Sequence, residues 1–108
     1  MSSFVVHGSR GTYSVDIGFG SLDALTTEFP IHIVDRNLEA LILRGGSRID
    51  FDAQEAGKTL QGVETVLAQM GTLGATRDST VLAVGGGVVQ DVVTLAASLY
   101  MRGIGWAY

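Results

Sequence analysis

Residues 79–84, STVLAV, form a short and almost continuously apolar run that ends just before three glycines. The run has the length of a strand, and it lacks the alternation of apolar and polar residues that marks a strand with one face in water. A strand of this kind is buried on both faces, as in a parallel sheet that other elements cover. The run therefore predicts a strand in the interior of a parallel sheet.

The segments around this run alternate between strand and helix patterns. The expected strands cover 31–35, 48–51 and the residues from 103 onward, and the expected helices cover 21–29, 38–43, 54–73 and 88–101. Strands that alternate with helices imply right-handed crossovers between parallel strands.

Two further patterns complete the predicted architecture. The segment FVVHGSRGTYSVDIG alternates on either side of a glycine-rich turn at 8–11, which predicts a β-hairpin at the N-terminus. The helix over 54–73 is predicted from apolar residues at helical spacing, namely Ala56, Leu60, Val63, Val66, Leu67, Met70 and Leu73. The sequence thus predicts one α/β domain over 1–108, Rossmann-like and three-layered, with a mainly parallel sheet and an N-terminal β-hairpin.

Composition excludes several classes of function. The formal net charge is −4, which argues against nucleic acid or an anionic membrane surface as the main partner. The absence of cysteine excludes disulfides and thiolate zinc sites. No charged segment precedes a long apolar run, so we expect neither a signal peptide nor a transmembrane helix, and a cytoplasmic location follows as the expectation.

The three glycines at 85–87 close the apolar strand and open the next helix. Parallel sheets bind ligands at the carboxyl ends of their strands, and glycine lets the backbone approach a ligand closely. The N–H groups at a helix N-terminus favour an anionic group such as a pyrophosphate. A tight turn that needs only positive φ is the alternative. The dinucleotide fingerprint GxGxxG is not met, because Gln90 occupies its last position.

Charged residues flank these elements. Asp91 lies early in the helix among apolar neighbours, which predicts a buried acid that needs a ligand as partner; an ordinary acid favoured by the helix dipole is the alternative. Arg102 at the helix end either complements the dipole or holds a phosphate or carboxylate. Glu55 and Lys58 have the spacing of a surface pair within a helix. The GKT at 57–59 is not a phosphate-binding loop, because Asp52 stands where that motif requires glycine.

The two histidines lack the spacing of metal ligands. We interpret His7 as a residue of the hairpin and His32 as a packing residue of its strand.

Four motifs carry a resemblance to a known family. They are GGGVVQD at 85–91, AASLYMRG at 96–103, EAGK at 55–58 and IVDRN at 33–37. With these motifs the chain resembles the N-terminal half of 3-dehydroquinate synthase and its sugar-phosphate cyclase relatives. The chain departs from the family at Gln90, where glycine is usual, and at Thr94-Leu95, where glycine-phenylalanine is usual.

The resemblance implies an NAD site. It implies that Asp35, Glu55 and Lys58 contact the adenosine ribose side of NAD. The residues implied at the pyrophosphate and nicotinamide are Gly86, Gly87, Val88, Val89, Gln90 and Asp91. Asp91 is then the catalytic residue nearest the reacting end, and Arg102 holds a substrate phosphate. A divalent metal, zinc or cobalt, is implied only for the full-length enzyme, with its ligands in a helical C-terminal domain.

The activity implied by the resemblance is a carbon–oxygen lyase of the shikimate pathway, in aromatic amino acid biosynthesis. The family transiently oxidises a hydroxyl of a seven-carbon sugar phosphate, eliminates phosphate, returns the hydride and closes the ring by an intramolecular aldol. Because the family continues past residue 108, the chain is expected to be a truncated form that is inactive alone. The implied partners are the sugar phosphate, the C-terminal domain and a second copy in a homodimer, and Ile104 and Trp106 are expected to be exposed.

The sequence is also compatible with two other functions. The first is the NAD-binding domain of a related metal-dependent alcohol or glycerol dehydrogenase. Those enzymes typically carry serine after the triple glycine, where Val88 stands, and lysine three residues after the acid, where Thr94 stands. The second is a non-catalytic, Rossmann-like binding module.

Overall fold

A parallel sheet forms the centre of the domain. The computed structural model describes residues 2–17 and 22–108, and in them the sheet has four strands. The strands and helices are β1 (Ser2–Gly8), β2 (Gly11–Ile17), α1 (Asp23–Thr26), β3 (Ile31–Asp35), β4 (Ser47–Phe51), α2 (Leu60–Thr72), β5 (Thr80–Val84), α3 (Gly87–Leu99) and β6 (Gly105–Ala107). Short 3₁₀ turns occur at Arg36–Leu38, Glu55–Gly57 and Tyr100–Arg102.

The strand order in this sheet is β4-β3-β5-β6, and all neighbouring pairs are parallel. Ile33 in β3 pairs with Ile49 of β4 on one side and with Ala83 of β5 on the other. Strand β5 therefore lies inside the sheet, as the apolar run predicted. The α/β fold with a parallel sheet is confirmed.

Helices α2 and α3 pack against the same face of the sheet. The steps from β4 to β5 and from β5 to β6 run in the same direction across the sheet, so right-handed crossovers bring both helices to one side. The main core lies between this face and the helices. Its buried residues include Ile31, Ile33, Ile49, Phe51, Val81 and Ala83 from the strands and Val63, Val66, Met70, Val89, Val93 and Ala96 from the helices.

The opposite face is covered by α1 and the chain that leads into β4. His32 is fully buried on this face, and its Nε2 donates to the Thr26 carbonyl at 2.9 Å. Gly46 packs directly against the ring, because a Cβ there would lie 2.7 Å from Nε2. His32 is thus a packing residue of β3, as its sequence context predicted.

The first two predicted helices are shorter or absent. The helix predicted over 38–43 is wrong; the turn Arg36–Leu38 is followed by irregular chain, whose carbonyls at Leu38 and Leu41 accept hydrogen bonds from Arg48. The helix predicted over 21–29 is reduced to α1, and its expected N-cap, Ser21, lies outside the described residues.

The helix predicted over 54–73 begins only at Leu60. Thr59 is extended, and its Oγ1 accepts the Gly62 N–H at 3.0 Å, which caps α2 at this point. Of its predicted apolar face, the residues from Val63 to Met70 are buried or half-buried, whereas Ala56, Leu60 and Leu73 are exposed.

The N-terminal β-hairpin is confirmed. Strands β1 and β2 are antiparallel and joined by a two-residue turn, with Val5 opposite Ser14. The hairpin includes His7, as expected, and is separate from the four-stranded sheet in the described residues.

Helix α3 ends in a strained turn. Met101 and Arg102 both have positive φ, 45° and 73°, which L-residues with side chains rarely adopt. The Tyr100 hydroxyl donates to the Ala75 carbonyl at 2.7 Å and fixes the helix end to the chain after α2. The expectation that Ile104 is exposed is wrong, because it is 6% exposed against the core; Trp106 is 41% exposed, as expected.

No helix in the described part of the chain is long and apolar enough to cross a membrane.

Candidate functional site

The carboxyl ends of β3 and β5 meet beside the glycine turn. Gly85 has a φ of +152°, and a Cβ there would lie 2.9 Å from the Val89 Cγ2 and 3.1 Å from the Asp35 Cβ. The chain can turn from β5 into α3 this close to Asp35 only because residue 85 has no side chain. The Asp35 Oδ1 accepts the N–H of Asn37 at 2.9 Å, so one carboxylate oxygen already has a partner.

The N-terminus of α3 opens onto free space. Gly86 is its N-cap and has no side chain to accept from the first N–H groups. A Cβ at Gly86 or Gly87 would meet no atom within 4 Å. Backbone donors and the positive end of a 13-residue helix therefore face a space that an anionic group can occupy.

Gln90 folds back onto the turn instead of filling this space. Its backbone N–H donates to the Gly86 carbonyl at 3.1 Å, and its Nε2 lies 3.5 Å from the Gly85 oxygen. The departure from the usual family glycine at this position thus leaves the helix N-terminus open.

Lys58 joins the chain before α2 to α3. Its Nζ lies 2.7 Å from the Asp91 Oδ2 and 3.7 Å from the Glu55 Oε1. The hydrogen bond to Asp91, with the negative charges of Asp91 and Glu55, raises the pKa of the Lys58 ammonium above its usual value. The result is an ion pair that connects two elements at the same edge of the sheet as the glycine turn.

The prediction that Asp91 is buried is wrong. Its side chain is 59% exposed, whereas Val89, Val92 and Val93 point into the core. Because successive helix residues are rotated by about 100°, apolar neighbours in sequence do not place a residue on the apolar face. The sequence predicted that a ligand would be the partner of Asp91. In the structure its partner is Lys58.

The interpretation of Glu55 and Lys58 as a pair within a helix is also corrected. Glu55 begins a 3₁₀ turn, and Lys58 follows it, before the Thr59 cap of α2. Gly57 and Gly62 allow this turn to fold against the helix, since a Cβ at Gly62 would lie 2.3 Å from the Gly57 carbonyl oxygen. The sequence contained one signal for the contact with Asp91, namely opposite charges near the starts of two helices.

The structure brings most of the predicted site residues to one edge. Those at the carboxyl edge of the sheet are Asp35, Glu55, Lys58, Gly86, Gly87, Val88, Val89, Gln90 and Asp91. Val89 is fully buried, so only its backbone faces the turn. Arg102 does not join them, because it follows the far end of α3, a helix about 20 Å long.

The described ranges, 2–17 and 22–108, contain no group of three or more His, Cys, Asp or Glu side chains that could hold a metal ion. The candidate site consists of the backbone donors at the N-terminus of α3, flanked by Lys58 with its two acidic partners, Glu55 and Asp91.

Comparison with known proteins assigns the chain to a family. The family profile described as "3-dehydroquinate synthase N-terminal" matches residues 48–107, more than half of the chain. The 3-dehydroquinate synthase of Pyrobaculum aerophilum is 36% identical over 97% of this chain and 30% of its own length. That of Xylella fastidiosa is 46% identical over 48% of this chain and 13% of its own length.

Solved structures are similar in fold. The 2-epi-5-epi-valiolone synthase of Streptomyces hygroscopicus, with NAD⁺ and Zn²⁺ bound, has a TM-score of 0.67 and 29% identity, over 77% of this chain and 27% of that one. A 2-deoxy-scyllo-inosose synthase complexed with carbaglucose-6-phosphate, NAD⁺ and Co²⁺ has a TM-score of 0.79 and 23% identity, over 97% of this chain and 34% of that one.

The parallel sheet and its glycine turn define an α/β domain of the type found in these synthases. The chain belongs to the 3-dehydroquinate synthase family, through the N-terminal domain of that family. It spans about 30% of the length of the Pyrobaculum relatives.

Proposed function

We propose that residues 1–108 are the NAD-binding N-terminal domain of a 3-dehydroquinate synthase-like enzyme. In this proposal the whole enzyme cyclises a seven-carbon sugar phosphate with elimination of phosphate, as a carbon–oxygen lyase. The observation that carries the proposal is the open N-terminus of α3 after the glycine turn, with Lys58 and Asp91 paired beside it. The family match and the NAD⁺ bound to the valiolone synthase support it.

The residues present fit a dinucleotide. The pyrophosphate would lie over Gly86 and Gly87, where no atom stands within 4 Å of a Cβ position, and would accept from the backbone N–H groups of the first turn, which end at Val89. The Asp35 Oδ2 would accept a hydrogen bond from a ribose hydroxyl, since the Oδ1 already accepts one from the Asn37 N–H. Bound NAD would supply a reversible hydride acceptor.

Charged side chains beside the glycine turn would also orient the cofactor. Glu55 and Lys58 stand at the same edge and carry opposite charges, so they can accept from and donate to ribose hydroxyls. Asp91 faces solvent beside the helix start, and Lys58 holds its carboxylate in one position. We assign Asp91 to the reacting end of the cofactor as the catalytic residue of this domain.

Two parts of the proposed enzyme lie outside this edge. A divalent metal, zinc or cobalt, would be held by residues other than those described here, which contain no candidate group for it. Arg102 is proposed as a ligand of the substrate phosphate. It stands at the opposite end of α3 from Asp91.

The role of Asp91 is tested by Asp91→Ala in the complete enzyme. We expect turnover, measured as phosphate release, to fall by about 100-fold or more, while NAD affinity changes little, because the acid acts at the reacting end. Asp78→Ala is the matched control, an exposed acid in the turn before β5. Near-normal turnover of Asp91→Ala would contradict the assignment.

A second assay separates the proposed cyclase from a dehydrogenase. The cyclase returns its hydride within each turnover, so it releases phosphate without accumulating NADH. A related alcohol dehydrogenase would accumulate NADH in proportion to product and release no phosphate. The lysine typical of those dehydrogenases is missing, because Thr94 stands at its position and donates its hydroxyl to the Gln90 carbonyl at 2.7 Å.

A further inference from the structure

The turn after α3 contains the two residues other than glycine that have positive φ in the described part of the chain. Met101 has φ 45° and ψ 38°, and Arg102 has φ 73°. Left-handed backbone costs energy for a residue with a Cβ, and such residues normally occur singly. Strain of this kind persists only where the surrounding structure imposes it, and it is concentrated at functional sites.

Tyr100 fixes the start of this turn. Its hydroxyl donates to the Ala75 carbonyl at 2.7 Å, and its half-buried ring packs against the hydrophobic core. Its backbone N–H donates to the Ala96 carbonyl, and its own carbonyl accepts the Gly103 N–H at 2.8 Å across the turn. Every polar group of Tyr100 therefore has a partner, and the residue is held from three directions.

Ile104 fixes the end of the turn. It is 6% exposed against the core, and its N–H donates to the Ala97 carbonyl at 2.8 Å. Gly103, with a φ of +115°, lets the chain turn back towards β6. Because both ends are fixed, the short link between them has no freedom to relax. Met101 and Arg102 are therefore held in the left-handed region.

Arg102 is the charged residue that this turn presents. Its side chain is exposed, and within residues 2–17 and 22–108 it makes neither an ion pair nor a hydrogen bond, whereas Arg48 and Lys58 both have acidic partners. A guanidinium binds phosphate through a rigid fork of N–H donors, so the direction of the fork matters. A backbone that fixes this direction in advance lowers the entropy lost when the phosphate binds.

We propose that Tyr100 is a positioning residue for Arg102. This inference rests on the proposed function, in which Arg102 holds the substrate phosphate. The Tyr100 hydroxyl fixes the strained turn to the chain at Ala75, and the turn fixes the direction in which the Arg102 side chain leaves the backbone. Tyr100 acts through Arg102 and contributes no group of its own, because its hydroxyl already donates to Ala75.

The test is a double-mutant cycle of Tyr100→Phe and Arg102→Met in the complete enzyme, with kcat/KM measured as phosphate release. We expect Arg102→Met to lower kcat/KM by about 100-fold and Tyr100→Phe to lower it by about tenfold. In the Arg102→Met background, Tyr100→Phe should change kcat/KM by less than about twofold, because the residue through which it acts is gone. A merely structural role would lower kcat/KM by the same factor in both backgrounds, so partial loss of folded enzyme does not imitate the expected result.

Calorimetric titration with inorganic phosphate examines the anion site without the rest of the substrate. Tyr100→Phe should bind inorganic phosphate about tenfold more weakly than the wild type. The matched control is Tyr13→Phe, which removes the same hydroxyl from an exposed tyrosine of β2 and should leave kcat/KM and phosphate binding unchanged.

The outcomes separate this inference from the proposed function. Equal effects of Tyr100→Phe in the two backgrounds would overturn the positioning role alone, and so would wild-type phosphate binding by Tyr100→Phe. A wild-type kcat/KM for Arg102→Met would overturn the assignment of Arg102 to the substrate phosphate, and the positioning role with it.

Discussion

Lys58 is the only lysine of the chain, and its ammonium connects the turn before α2 to α3. The pair is exposed, so its contribution to stability is small and screened by salt. The ion pair instead orients a side chain, because it holds the Asp91 carboxylate at the carboxyl edge of the sheet. The raised pKa of Lys58 makes this connection measurable by titration.

We predict that the stability difference between the wild type and Lys58→Met disappears at high pH. Because the pKa of Lys58 is raised in the folded state, its stabilisation is complete below the usual lysine pKa and is lost as pH rises through the raised value. Urea unfolding of both proteins between about pH 9 and about pH 12 gives the difference. A difference that stays constant with pH would contradict this assignment.

At the scale of elements, the strand–turn–helix unit from β5 to α3 uses its glycines in two ways. Gly85 is required by the backbone, since its φ is +152° and a Cβ there would collide with Val89. Gly86 has a φ of −89° and open space around it, so the fold does not require glycine there.

We predict that Gly85→Ala lowers the free energy of unfolding by about 2–4 kcal/mol, through backbone strain and the clash with Val89. Gly86→Ala is the control and should change it by less than about 1 kcal/mol. Urea unfolding measures both. In the complete enzyme, Gly86→Ala should instead weaken NAD binding, because its methyl group enters the space proposed for the pyrophosphate. Equal destabilisation by the two substitutions would contradict the distinction.

Sequence patterns predicted the strands of this sheet better than its helices. The apolar runs at β3 and β5 are local and unambiguous, and β3 spans the predicted residues. The start of α2 was missed because it depends on one cap, the Thr59 hydroxyl on Gly62, which outweighed the apolar spacing that continues back to Ala56. For the contact between Lys58 and Asp91 the sequence offered only opposite charges near the starts of two helices; that these two charges meet follows from the fold, because the residues are distant in sequence.

For the whole molecule, we predict that the 108-residue chain has no cyclase activity and binds NAD with roughly millimolar affinity. Its candidate site is open to solvent, with Glu55 and Lys58 exposed, so water competes for each polar contact and only about 4 kcal/mol of binding remains. No metal-holding group occurs in the described residues. Calorimetric titration with NAD measures the affinity, and low-micromolar binding would contradict the account.

Titration with ADP-ribose is the control for this measurement. It carries the adenine, both riboses and the pyrophosphate but no nicotinamide, so it should bind about as tightly as NAD if the α3 N-terminus supplies most of the contacts.

The strand order has a consequence for how the domain is assembled during synthesis. Ile33 meets Ile49 after a short stretch of chain, but it meets Ala83 only across a separation of 50 positions. Distant pairings close long loops and slow the folding rate. On the ribosome, β3 and β4 can pair early, while the other edge of β3 stays bare until β5 emerges. The glycine turn follows β5 directly, so the candidate site is completed late, after the elements that support it.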